Sequence, residues 1–407
     1  MTILTHIAWN NLLRNRRRTL STIVAISVGV AMIVLTNALT NGISSNMSNS
    51  IIQQIDGHLR IEHRDYKKFF ITDQEKILIL DAPGLAEKIK TLPHVRDVMP
   101  RMMLGGLIGM GDKSSTFLGV AYDVRTLPQV LPDYGVHLQA GKLLDAADPA
   151  GIVLGKALAD SLKIKLGDEL VLLSKTVHGD QSNTLVHARG IVTFPTDYVV
   201  EQSLILTGLD TVIGDNLLDR GDSATQLIVR VDDTANVAQA SAAIEQYLAE
   251  RGLPWHVVPW YENAAFGRIV GAFNGIGGLI MFILVLMVGI ITSNALLMTF
   301  FERMREIGSM RAIGMNQMQV SRLLYVESIM VAVLGAISGL LLGLILTAIA
   351  NSIGIPLGLI GQNIYPVIQL KMILISTLVP IFFIVLAAYI PIREANKLSV
   401  VEALNYQ

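Results

Sequence analysis

Apolar residues dominate four stretches of the chain, 19–42, 269–301, 323–350 and 371–391, and only Glu327 and Lys371, near their edges, carry charge. Each predicts a membrane-spanning helix, because about 20 apolar residues cross the hydrocarbon core and a charge at its centre costs about 3 kcal/mol. After the first span the chain stays uncharged to Ile55. There Ile43, Met47, Ile51 and Ile55 recur every four residues among Ser, Asn and Gln, which predicts that the helix continues outward as a stalk with one apolar seam. Thirteen further helical residues would carry a rod about 20 Å beyond the lipid. The stretch "YENAAFGRIV" (261–270) predicts a similar lead-in to the second span.

Between the first two spans, residues 43–268, the pattern changes to that of a folded domain with an internal echo. "GHLRIEH" (57–63) followed by "APGLAEKIKTLPHVRDVMPR" (82–101) reads as strand, helix, and a strand ending at proline. "TQLIVRV" (225–231) followed by "NVAQASAAIEQYLAERGLPWHVVPW" (236–260) repeats that order, so the two units are expected to pair into one α/β layer. Residues 115–222 have short β-like runs such as "GIVLG", "DELVLLS" and "SLILTG", punctuated by Gly-Asp turns. They predict a β-rich subdomain inserted between the two halves. The fold class is therefore a membrane α-helical protein, with four transmembrane helices and a large extracytoplasmic α+β domain.

Composition agrees: of 407 residues 52% are hydrophobic and 16% charged, with a mean hydropathy of +0.51. Arg14, Arg16, Arg17 and Arg18 precede the first span, Arg303, Arg305, Arg311 and Arg322 separate the second from the third, and Arg393 and Lys397 follow the fourth. Basic residues in short loops stay cytoplasmic. Both termini (1–18 and 392–407) and loop 302–322 are then expected inside, with 43–268 and loop 351–370 outside. In "ILTHIAWNNLL", Ile3, Leu4, Ile7, Ala8 and Leu12 share a helical face with Trp9 at its edge, which predicts an amphipathic helix in the headgroup zone. A secretory signal peptide is disfavoured by the long apolar stretch and the lack of a small-x-small cleavage site. Cysteine is absent, so no disulfide stabilises the external domain.

Chemistry-bearing motifs are missing. "GVHLQAGK" (135–142) imitates a phosphate loop, but its glycine spacing is one residue too long and Leu143 stands where Ser or Thr would bind magnesium. The eight histidines show no metal-ligand spacing, so no catalytic and no metal site is expected, and no nucleic-acid partner. Gly335, Gly339 and Gly343 repeat every four residues, as do Gly271 and Gly275. Such rows let helix backbones approach, within one subunit or between two. Four spans are few to enclose a path, which points to a second copy of the chain or a homologue.

The segment "FFERMREIGSMRAIGMNQMQVSRLLYVES" has Glu302 and Glu306 early and Arg311 late, matching a helix dipole, with Gly314 placed to end the helix. It resembles the cytoplasmic loop of FtsX/MacB-type ABC transporter permeases, whose Glu-Ile-Gly, three residues, Ala-x-Gly pattern stands here as Glu306, Ile307, Gly308, Ala312, Ile313 and Gly314, with Glu327 at the position of a following acidic residue. "AWNNLLRNRRRTLSTIVAISVGVAMI", "GIVLGKALADSLKIKLGDELVL" and the C-terminal "PIREANKLSVVEALNYQ", with Ala395, Val401, Glu402, Ala403 and Leu404 in matching places, extend the resemblance along most of the chain. It implies a MacB-like periplasmic domain and a coupling helix, including Glu302 and Arg311, that docks on a separate ATPase. It also implies two ATPase copies holding ATP and magnesium, no cofactor in this chain, no catalysis by it, and residence in a bacterial inner membrane. No Walker A motif is present in these residues.

Within that family the length and "GHLRIEHRDY" look most like the LolC/LolE branch, so the expected function is ATP-driven extraction of lipoproteins for a periplasmic carrier. "SKTVHGDQSNTLVH" departs from it, being short and polar where a carrier-binding hook would lie. MacB-like export of a peptide, toxin or drug with a periplasmic adaptor, and FtsX-like regulation of a wall hydrolase, are the alternatives. Under the first reading Ile43, Met47, Ile269 and Phe273 are expected to line a cleft that receives acyl chains from the membrane lipid.

Overall fold

The computed structural model describes residues 3–14, 16–70, 73–134, 138–176, 178–193, 202–213, 222–262, 266–356 and 363–397. The chain separates into a membrane unit (1–45, 271–357 and 363–407) and a β-rich unit (46–270 and 358–362). Along the chain run helices α1 (Ile3–Arg14) and α2 (Arg16–Ser50), strand β1 (Leu59–His63), α3 (Ala82–Lys90), β2 (Val95–Met110), β3 (Lys113–Tyr122), β4 (Leu138–Gly141) and β5 (Gly151–Gly155). Then follow β6 (Glu169–Lys175), β7 (Gln181–Val192), β8 (Leu204–Gly208), β9 (Gln226–Val231), α4 (Val237–Glu250) and β10 (Trp255–Pro259). The chain ends with α5 (Phe266–Glu302), α6 (Met304–Ala312), α7 (Gln317–Ile353), α8 (Leu370–Ala387) and α9 (Tyr389–Lys397).

Four helices of the membrane unit are long and apolar enough to cross a bilayer; α2, α5 and α7 extend past the apolar stretches that predict them, whereas α8 ends at Ala387 and the fourth span runs on into α9. The row Gly335, Gly339 and Gly343 on α7 is where α2 comes closest. A Cβ added at Gly335 would lie 2.5 Å from Ile26, at Gly339 2.6 Å from the Ser27 carbonyl oxygen, and at Gly343 2.7 Å from Val34. The glycines therefore seat α2 within the same chain. Ser27 and Ser338 hydroxyls share a hydrogen bond of 2.6 Å across that seam. Gly271 and Gly275 have nothing within 4 Å of an added Cβ. Residues 351–370 include a two-residue ladder, Ile355–Pro356 against Asn363–Ile364, and Val367 N donates to the Ala38 carbonyl of α2 at 3.0 Å.

In the β-rich unit the two strand-helix-strand units do share a layer. Strands β10, β1, β9 and β2 lie side by side, and Ile61, Leu227, Val229 and Val257 pack with Leu85 and Ile89 of α3 and Ile244 and Leu248 of α4. The region predicted as a separate β insertion is continuous with this sheet. Strand β2 does not end at Pro100 but runs on to Met110, pairing with β9 over Val95–Arg101 and with β3 over Arg101–Met110. The Arg101 carbonyl accepts from Thr225 on the β9 side, so the polar groups of Pro100 point the other way, and its carbonyl meets Asp123 N. The missing N–H of proline thus costs β9 no ladder bond. From β2 the pairing closes on itself through β3, β8, β5, β7 and β6. The ring is filled by Met102, Leu104, Phe117, Ile152, Leu154, Leu170, Leu172 and Ile205.

The stalk is helical as predicted to Ser50, but Ile51–Ile55 wind into a π turn. A buried polar knot holds that turn. Arg101 donates to the Ile55 carbonyl (2.7 Å), to Asp56 Oδ1 (2.7 Å) and twice to Gln226 Oε1 (2.7 and 3.0 Å). Arg60 bridges Asp56 and Glu62 at 2.7 and 2.9 Å, and Gln226 donates to Glu62 at 2.9 Å. The Arg230 guanidinium donates to the Gln53 side chain, and Asp133 N to the Gln53 carbonyl.

Candidate functional site

The loop between α5 and α7 is built to present a rigid tip. Helix α5 ends at Glu302, Arg303 leaves helical geometry, and α6 begins at once. Met304, Ile307 and Gly308 fall on one helical face by their spacing and are buried, the first two packing with Leu296, Phe300, Val320, Leu324, Ala388 and Ile392. Arg305, Glu306 and Ser309 are exposed on the other face. Gly314 turns the chain with φ +112°, a conformation that favours glycine. Asn316 then caps α7: its Oδ1 accepts from Gln319 N, and the Gln319 side chain accepts from Asn316 N, both at 2.9 Å. Two apolar side chains project there among polar ones: Ile313 is 89% exposed and Met318 63%.

Behind the tip lies a charged core. Glu327 on α7 is 4% exposed and Arg303 7%. Arg303 donates to both Glu327 oxygens (2.7 and 3.4 Å) and to Glu306 (3.1 Å), while Asn11 Nδ2 of α1 donates to Glu327 Oε1 at 2.6 Å. Burial alone would lower the Arg303 pKa, but the Glu327 and Glu306 carboxylates outweigh it and raise it. Arg14 pairs with Glu306, and Arg18 of α2 with Glu302. Removing one partner of a buried pair such as Arg303–Glu327 typically costs about 3–5 kcal/mol. The arrangement therefore fixes how α6 is held rather than supplying a reactive group. Among the described residues no cluster of three or more metal-ligating side chains forms.

Of the residues expected on a docking helix, Glu302 and Glu306 are tied to α2 and α1, and Ala312 and Gly314 are exposed at the tip. Ile307 and Gly308 face inward and seat the helix; Arg311 is half-buried. Met318, the exposure of Ile313 and the pairing of Arg303 with Glu327 are the features that the sequence pattern does not show. An apolar residue breaking the polar side of the loop was the available signal for Ile313. The residues expected to line an acyl-chain cleft are divided between the units. Ile43 and Phe273 are half-buried in the membrane unit, whereas Met47 belongs to the β-rich unit and is 7% exposed. The side chain of Ile269 lies outside the described residues, as do the C-terminal signature residues Val401, Glu402, Ala403 and Leu404, the side chain of Ala395, and positions 135–137 of "GVHLQAGK".

Comparison with known proteins bears on the whole chain. Residues 19–247 match the model of the MacB-like periplasmic core domain, and residues 278–400 that of the FtsX-like permease C-terminal domain. Over 411 residues, 98% of the chain, it is 22% identical to a macrolide export ATP-binding/permease protein MacB of Campylobacter jejuni, covering 60% of that protein. It is 24% identical over 409 residues to an uncharacterized ABC transporter permease of Methanocaldococcus jannaschii, covering 98% of this chain and 96% of that one. It is also 24% identical over 417 residues to the pyoverdine export ATP-binding/permease protein PvdT of Pseudomonas entomophila, covering 98% of this chain and 58% of that one. The chain thus spans about 60% of the length of the curated MacB relative.

Proposed function

Because the chain belongs to the FtsX-like ABC transporter permeases that carry a MacB-like periplasmic core domain, we propose that it is the membrane-spanning part of a MacB-type exporter. A nucleotide-binding domain outside these 407 residues binds magnesium and ATP and hydrolyses the nucleotide; this chain converts the movement into a change of its β-rich domain. The observation that carries the reading is the apolar tip formed by Ile313, at the end of the short helix α6, and Met318, in the first turn of α7, with the buried Arg303–Glu327 pair fixing the start of α6 to α7. An exposed apolar knob on a stiff base suits insertion into a groove of a partner, since buried apolar contact gives adhesion and the base transmits displacement. The glycine seam then couples α7 to α2. On this reading the arginine-rich ends lie in the cytoplasm, the β-rich domain lies outside the inner membrane, and two permeases work with two nucleotide-binding domains.

The relatives with a named cargo export a macrolide or pyoverdine. They favour export of a small molecule or peptide over the lipoprotein extraction expected from sequence, and the exporter reading carries a periplasmic adaptor as a further expectation. Reconstitution with the nucleotide-binding partner in proteoliposomes tests this: macrolide should accelerate ATP hydrolysis and be transported. Acceleration by a triacylated lipoprotein, with none by macrolide or a panel of peptides, would overturn it in favour of lipoprotein release.

A further inference from the structure

Helix α1 is tied to more of the loop apparatus than a headgroup-zone anchor requires. Its Asn11 reaches the buried Glu327 carboxylate at 2.6 Å, and its Arg14 pairs with Glu306 of α6. Ala8 is fully buried, and Leu12 packs against the cluster of Ile26, Val30, Val331 and Ala332. Among its described side chains, Trp9 and Leu13 present large apolar surface outward. The same C-terminal turn of α1 that carries Asn11 and Arg14 is tied to α2: Thr19 Oγ1 donates to the Leu12 carbonyl at 3.2 Å and Arg16 Nε to the Leu13 carbonyl at 3.1 Å. Those carbonyls are the orphan acceptors of a helix C-terminus, so the α1–α2 elbow is hydrogen-bonded rather than loose.

We propose that α1 is a transmission strut: it links the coupling helix α6 and the Arg303–Glu327 core to the first span α2, with Asn11 and Arg14 as its positioning residues. This rests on the exporter reading above. Displacement of the tip shifts α6, the Glu306–Arg14 and Glu327–Asn11 contacts pass it to α1, and the elbow passes it to α2. Among the described residues, Arg18–Glu302 joins α2 to α5, but α1 supplies the polar contacts that reach α6 and Glu327 together. A part-buried contact to a buried carboxylate holds geometry because misplacing it leaves Glu327 short of a donor.

The test uses the full chain with its nucleotide-binding partner in liposomes and an environment-sensitive dye on a single cysteine, Val24→Cys, at an exposed position of α2. The chain has no native cysteine, so labelling is unambiguous. ATP is expected to shift the dye signal in the parent. Asn11→Leu should cut that shift about 5-fold or more, the scale of an ordinary allosteric coupling, while ATP hydrolysis stays within about twofold of the parent. Asn11→Gln, which restores the donor, should recover at least half of it, and Arg14→Ala, which removes only the exposed pair, should lose part of it. A full dye shift in both Asn11→Leu and Arg14→Ala overturns the strut. Equal loss in Asn11→Leu and Asn11→Gln, with hydrolysis intact, also overturns it. No ATP-dependent shift in the parent itself would instead count against the exporter reading.

Discussion

Arg101 sits where α2 ends and the sheet begins, and its replacement by methionine is a demanding test of the polar knot. The substitution keeps most of the side-chain volume but removes donors to Asp56, to the Ile55 carbonyl and to Gln226. Asp56 keeps Arg60, so the loss is partial. Breaking one member of a buried ionic network costs about 3–5 kcal/mol. With about 1.4 kcal/mol per factor of ten, amides of β9 that exchange through opening of this region should exchange about 100-fold to several thousand-fold faster. Hydrogen–deuterium exchange on the full chain in nanodiscs reads this over peptides covering Gln226–Val231 and Ile51–Ile55. Arg125→Met is the contrast: Arg125 pairs with Asp210 at 3.9 Å with both side chains exposed, and exposed pairs contribute about 0–1 kcal/mol. A change under about fivefold for Arg101→Met, or equal changes for the two variants, would refute the claim that the knot fixes the π turn.

Gly339→Leu must push α2 off α7, since even its Cβ would lie 2.6 Å from the Ser27 carbonyl oxygen; it should cost at least about 1–3 kcal/mol, seen as a lower aggregation temperature in detergent. Gly275→Leu, with open space around it, should leave that temperature unchanged. Burial, followed by the nearby Arg230 charge, pushes the His58 pKa down from 6.5 to about 4, and its Nδ1 accepts the Val231 N–H at 3.2 Å. A depressed folded-state value means this stability is complete above pH 6.5 and is lost as pH falls towards 4. The full shift corresponds to about 3 kcal/mol, which partial solvent access reduces to about 2 kcal/mol. His58→Asn should flatten the pH dependence of β9 amide exchange across that window, and an unchanged slope would exclude His58 as its source.

The spans and both strand-helix-strand units were legible because each depends on a local period: charge-free runs for helices in lipid, alternation for strands, and a 3.6-residue face for α3 and α4. The ring of β2, β3, β8, β5, β7 and β6 was not, because closure is set by pairings between strands far apart in sequence. Proline also misled, since reading Pro100 as a stop ignored that its polar groups point away from β9. In the loop, the Glu-Ile-Gly stretch marked the right helix but not its faces. Ile307 looked like a contact residue and is core, whereas Ile313, beside the turning Gly314, is the exposed one. Arg303 counted only as a topology charge, and nothing local announced that a residue 24 positions later would bury with it.

The most direct measurement places one cysteine at Ile313 in the otherwise cysteine-free chain and adds the nucleotide-binding partner. Docking of the tip predicts that maleimide labelling, fast in the chain alone, is strongly suppressed when the partner binds, and that a photoactivatable label at this position crosslinks to the partner with an efficiency that changes on ATP addition. Equal labelling with and without the partner, and no crosslink under any nucleotide condition, would contradict it.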